Sequence, residues 1–152
     1  MDNFKELFEN MQEGFALHEV ILNEKGEPID YRFLEVNPAF EKITGLKAEE
    51  IKNKRVKEVL PGTEDYWIKS YGDVVLNNKS MTFSNYSREL DKYFSVNVYS
   101  PAPNQFATIF TDITIEKKAQ EKINEERKLF ETTINSIGDG VISTDINGNI
   151  VL

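Results

Sequence analysis

The chain has 152 residues, 39% hydrophobic and 11% aromatic, enough for one domain with its own core and some chain left over. Eighteen basic residues against 26 acidic give a net charge of −8, which argues against nucleic acid or an anionic membrane surface as the main partner. Cysteine is absent, which excludes disulfides, thiol nucleophiles and cysteine-ligated metals and fits a reducing compartment.

Residues 3–12 carry Phe4, Leu7, Phe8 and Met11 at helical spacing and predict a short amphipathic helix rather than a signal peptide. FALHEVILN (15–23) is a strand, EKGEP (24–28) a turn, and IDYRFLEV (29–36) the returning strand of a hairpin. NPAFEKITGL (37–46) has both ends of a short helix written in. Asn37 suits the N-cap, Pro38 the first helical position, and Gly45 the left-handed position that closes a helix. KAEEIKNKRVKEVLPG (47–62) predicts one or two further helical turns, stopped at Pro61-Gly62. TEDYWIKSYGDVVLNN (63–78) reads as a longer helix with an apolar stripe of Trp67, Tyr71, Val74 and Val75. Gly72 is expected to weaken it by about 1 kcal/mol relative to alanine. Three strands follow, over 80–87, 92–100 and 106–113, each with some alternation of apolar and polar residues. Two strands, several short helices and three more strands predict an α+β fold, an antiparallel sheet with helices on one face. No apolar run reaches the roughly 18 residues a membrane helix needs, so a soluble, cytoplasmic segment without membrane contact is expected.

The chain then repeats its own beginning. Leu7-Phe8-Glu9 returns as Leu129-Phe130-Glu131, and the acid-glycine pair Glu13-Gly14 returns as Asp139-Gly140. Offsets of 122 and 126 residues are domain length rather than solenoid length. The expected organisation is a flanking helix at 1–12, a complete domain at 13–112, a helical connector at 113–137 and the first hairpin of a second domain at 138–152. Asn147-Gly148 is the turn signal of that hairpin. A lone hairpin cannot bury its apolar face, so 138–152 is expected to lack order or to pair with a sheet edge or a second chain.

Within the connector Ile123, Phe130 and Ile137 recur every seven residues, as at one apolar position of a heptad. Ala119 and Thr133 fall at the other apolar position, where Glu126 is a polar interruption. The seam reads as a weak parallel dimer, and a helix packed on its own domain is the alternative. Asp112 and Thr114 sit where strand meets helix, and Asp112 suits a cap on the positive end of the helix.

YRFLEVNPAFEKITGLKAEEIKNKRVKEVLP is similar to the core of PAS domains, KYFSVNVYSP to their penultimate strand, and FTDITIEKKAQEK to the D-I-T signature that ends the core and opens a signalling helix. IGDGVISTDINGNIV resembles the entry to a further PAS domain in a tandem array. The resemblance covers nearly the whole chain. It implies a five-stranded antiparallel sheet in the order 2-1-5-4-3, with short helices over one face and flanking helices at both ends. It also implies a sensory and dimerising module of a prokaryotic signalling protein, with signal coupling at Asp112, Ile113 and Thr114. The output, a histidine kinase or a cyclic-dinucleotide enzyme, would lie elsewhere in the parent protein.

Catalysis finds no support in the residues. His18 is the only histidine, and as part of a strand it is expected to be a half-buried or surface imidazole. Neither a Walker loop nor a G-x-G-x-x-G turn occurs, and no metal site is expected. The family's cysteinyl-flavin photochemistry is excluded by composition, and haem is not expected because the helix at 63–78 has no histidine. What remains is an unidentified small molecule or a filled core. The pocket candidates are Phe40, Ile43, Trp67, Tyr71, Phe83, Phe94, Val96 and Thr108, with Tyr86, Arg88, Asn97 and Tyr99 as polar handles. A ligand-free dimerisation module and a small-molecule enzyme of similar shape are the competing readings.

Overall fold

The structure, a computed structural model, describes residues 2–140. Of the hairpin expected over 138–152, all beyond 140 lies outside the described residues. The chain forms two compact units, one reaching Thr114 and the other beginning at Ile115.

The first unit opens with helix α1 (Asp2–Asn10), followed by strands β1 (Gly14–Leu22) and β2 (Pro28–Val36). Four helices come next: α2 (Pro38–Thr44), α3 (Ala48–Ile51), α4 (Val56–Val59) and α5 (Asp65–Asn77). Strands β3 (Met81–Ser87), β4 (Lys92–Tyr99) and β5 (Gln105–Asp112) complete it. The five strands form one antiparallel sheet in the order β2-β1-β5-β4-β3. Helix α6 runs Thr114–Gly140 and, from Ile115 on, makes up the described part of the second unit.

Local chemistry sets the helix ends. The Asn37 side chain accepts from the Phe40 amide at 2.9 Å, Pro38 takes the first turn, and Gly45 closes α2 at φ 78°. Asn37 does more than cap. It is buried, accepts from the Phe15 amide at 2.9 Å, and donates to the carbonyls of Phe8 at 3.3 Å and Glu13 at 3.1 Å. One side chain thus ties the end of α1, the start of β1 and the start of α2 together. These bonds satisfy backbone donors and acceptors at three chain junctions at once.

Pairing across the sheet sets which residues face the helices. His18 lies opposite Phe106, Ala16 opposite Thr108, and Thr108 opposite Val98. Because side chains alternate, Ala16, His18 and Val20 share the inner face with Phe106, Thr108 and Phe110 and with Phe94, Val96 and Val98. Helix α5 lies over this face with Trp67, Ile68, Tyr71 and Val74 buried. Ile68 joins the expected stripe, while Val75 is only partly buried.

At Gly72 the structure supplies a reason for the glycine that helix propensity does not. A Cβ there would come within 2.4 Å of the Pro28 ring, so the residue that weakens the helix is the one that lets α5 lie against the start of β2. No helix among the described residues is long and apolar enough to cross a membrane.

Candidate functional site

Between the inner face of the sheet and the helices lies a cavity of about 80 Å3. Its floor comes from β1, β2, β4 and β5 through His18, Tyr31, Phe33, Phe94, Val96, Thr108 and Phe110. Phe40 of α2 and Trp67 and Tyr71 of α5 roof it. Thr44, Leu46, Leu60, Thr63 and Leu90 also line it and are only partly buried, which places the rim at the end of α2, the α4–α5 loop and the β3–β4 turn.

The most buried wall is aromatic. His18 stacks on Phe106 at 4.5 Å between ring centres, and Tyr71 stacks on the same ring at 4.6 Å. Tyr31 stands edge-on to His18 at 4.9 Å and to Phe106 at 5.3 Å. These are the offset and T-shaped arrangements that ring quadrupoles favour. His18 is 3% exposed rather than half-buried, because the alternation of β1 turns it to the same side as Ala16 and Val20. Burial holds its pKa down at about 3, so the imidazole is neutral. Burial pushes the phenols of Tyr31 and Tyr71 up.

Of the residues proposed from sequence to face a pocket, Phe40, Trp67, Tyr71, Phe94, Val96 and Thr108 line this cavity. The others stand elsewhere, each for a physical reason. Phe83 packs behind the roof, 5.6 Å from Trp67 and 6.1 Å from Tyr71. Ile43 is partly buried and packs against the core without reaching the cavity. Asn97 follows Val96 on β4 and therefore points to the other face, where it meets Thr82 at 2.6 Å. Tyr99 shares that parity and is exposed. The Tyr86 hydroxyl is engaged by Asp91 and its ring by Tyr93 at 4.9 Å.

Arg88 belongs to a polar clasp at the rim. Its guanidinium donates to the Gly62 carbonyl at 3.4 Å and its amide to the Glu64 carboxylate at 3.3 Å. The Gly62 amide donates to the Glu89 carboxylate. The Tyr66 hydroxyl lies between the Glu64 carboxylate and the Tyr86 carbonyl, and burial with the neighbouring Glu64 raises its pKa. The α4–α5 loop is thereby fastened to the β3–β4 turn.

A second polar chain leads from α2, beside the cavity, to the end of β5. The Lys92 ammonium donates to the Ile43 carbonyl of α2 and stands 3.9 Å from the Asp112 carboxylate. Asp112 accepts from the Thr114 amide at 2.9 Å and from the Thr114 hydroxyl. That hydroxyl in turn accepts from the Tyr93 amide at 3.0 Å, while the Ile113 amide donates to the Tyr93 carbonyl at 2.8 Å. Partial burial works against the Asp112 charge, but the two Thr114 hydrogen bonds and the Lys92 charge outweigh it and hold its pKa below the usual value. Asp112 bonds the first amide of α6 from two residues before it, one position ahead of the N-cap. Lys92 was not singled out from sequence, because its partners lie 49 and 20 residues away and no local pattern marks them.

On α6, Ile123, Phe130 and Ile137 are exposed, as is Ala119. Among the described residues, no group of acidic or histidine side chains has the arrangement of a metal site.

Comparison with known proteins bears on this architecture. A family model described as PAS domain matches residues 2–77. An RNA-binding light-oxygen-voltage receptor is 11% identical with a TM-score of 0.61, over 87% of this chain and 38% of that one. A domain of a sensory box sensor histidine kinase/response regulator from Geobacter sulfurreducens is 16% identical with a TM-score of 0.54, over 73% of this chain and 92% of that one. The PAS domain of an HTR-like protein from Haloarcula marismortui is 17% identical with a TM-score of 0.51, over 74% and 96%. No curated protein sequence matches the chain.

Proposed function

Since the chain belongs to the PAS domain family, with residues 2–77 matched by its model, we propose that it is a sensory module without catalysis of its own. In this reading it works in the cytoplasm as a homodimer, and an event at the cavity is passed to an output domain through α6. A histidine kinase is the output of first choice, in keeping with the sensor-kinase domain it resembles in fold. A cyclic-dinucleotide enzyme is the second. The RNA binding of the light-oxygen-voltage receptor is a property of that protein; a net charge of −8 supports a partner other than nucleic acid here.

The observation that carries the proposal is the Lys92 chain. Lys92 holds the carbonyl of Ile43, three residues beyond the cavity-lining Phe40, and the carboxylate that caps the first turn of α6. A shift of α2 against the sheet therefore changes the environment of Asp112 directly. Coupling of this kind needs a physical element that both ends bias, and a capped helix start shared by two strands is one.

The test is a fusion of residues 1–140 to a histidine-kinase core. Lys92→Met keeps the aliphatic stem and removes the charge, and Asp112→Ala removes the cap. Each is expected to change kinase autophosphorylation at least about fivefold, the scale of an ordinary coupling energy, with the fold intact by circular dichroism. Activity equal to the unmodified fusion in both variants sinks the relay.

A further inference from the structure

Resting on the sensory reading, we infer that the cavity selects a small uncharged molecule, of about three to five non-hydrogen atoms, that carries at least one hydrogen-bonding group. Three observations define this class.

The first is size. A cavity of about 80 Å3 has roughly half the space of the 150 Å3 apolar cavity known to accept benzene. It holds several times the volume one water needs. A flavin or a haem is far beyond it unless the whole roof moves.

The second is charge. No carboxylate, ammonium or guanidinium among the described residues lines the cavity. The one imidazole in the wall is neutral because it is buried. The buried Asp30 carboxylate is turned to the amides of Tyr31 at 2.9 Å and Lys57 at 3.4 Å. Lys92 is committed to Ile43 and Asp112. An ionised guest would leave water and meet no counter-charge, which is prohibitive in an aromatic interior.

The third is unmet polarity. His18 and Trp67 both line the cavity, are 3% and 5% exposed, and leave Nδ1 and Nε1 respectively without a well-aligned partner: the Phe106 backbone beside the imidazole and the Tyr66 hydroxyl beside the indole make only strained contacts. Tyr71 lies between them, 6.3 Å from the imidazole and 6.1 Å from the indole by ring centres. A guest with both a donor and an acceptor completes hydrogen bonding that the folded protein leaves poorly formed, which a purely apolar guest does not.

Propionamide and propionate have the same shape and differ in charge, so they separate the class directly. Trp67 is the only tryptophan and gives a single indole N–H resonance. Titrated at constant ionic strength near pH 7, propionamide is expected to shift that resonance saturably in the millimolar range, and propionate to leave it unmoved. Thr108→Ile, which adds bulk to the floor on a strand that favours branched side chains, is expected to abolish the shift. Val96→Ile serves the same purpose if the first variant does not fold. An equal response to propionate overturns the charge argument. No saturable shift with either compound overturns the site altogether. Both results leave the Lys92 relay standing, because that reading is judged on kinase output alone.

Discussion

Burial of His18 has a cost that depends on pH. Unfolded, the imidazole titrates near 6.5; folded, near 3. Between these values the unfolded chain binds the extra proton, so stability is full above about pH 6.5 and falls as the pH drops towards 3. The slope is at most about 1.4 kcal/mol per pH unit. His18→Phe is expected to flatten the upper part of this limb, between pH 6.5 and 5, where ordinary carboxylates contribute little. Urea midpoints across that range measure it. A variant with the same slope as the parent would locate the acid sensitivity elsewhere.

At the scale of elements, the clasp between the α4–α5 loop and the β3–β4 turn lies across the rim of the cavity and is expected to control entry. Its members bond mostly to backbone, and they are exposed or partly buried, so breaking it should cost little global stability. Opening it should nevertheless bare Trp67. Arg88→Ala combined with Glu89→Ala is expected to raise acrylamide quenching of Trp67 about twofold, with a melting temperature close to the parent. Unchanged quenching would place the entrance at another part of the rim.

The same elements show where sequence reading reaches and where it stops. The ends of α2 were legible in Asn37, Pro38 and Gly45, because a cap is satisfied within a few residues. Five strands and their order of appearance were legible for a similar reason, since alternation is local. The reason for Gly72 was not legible, because the Pro28 ring that requires it lies 44 positions away. Alternation on β1 places His18 on the face of Ala16 and Val20, but that this face is closed over by Phe106 and Tyr71 is set by strand pairing and by α5, which no local pattern shows. Asn97 could have been excluded beforehand: two neighbours on one strand cannot both face one cavity. Lys92 had no signal in sequence, being one of 18 basic residues and distinguished only by what folding brings to it.

For the molecule as a whole, α6 poses the question of assembly. Ile123, Leu129, Phe130, Ile134 and Ile137 are all exposed on it, with Phe130 67% accessible. A 27-residue helix with such a stripe gains little by standing alone in water. Pairing with a second copy along Ile123, Phe130 and Ile137 covers the stripe. The parent chain is expected to sediment as a dimer at tens of micromolar, and Ile123→Glu with Phe130→Glu as a monomer. A parent that sediments as a monomer at those concentrations would refute the seam.

Strand order adds one consequence. β5 is the last strand in the chain but the third across the sheet, with β1 on one side and β4 on the other. The polypeptide therefore departs for α6 from the middle of the sheet rather than from a border. Like a keystone, β5 is held from both flanks: the β1 ladder reaches Phe110 and the β4 ladder reaches Asp112. On the proposed sensory reading, strain from either half is expected to leave through this one strand, and opposed strains on the two halves to cancel there.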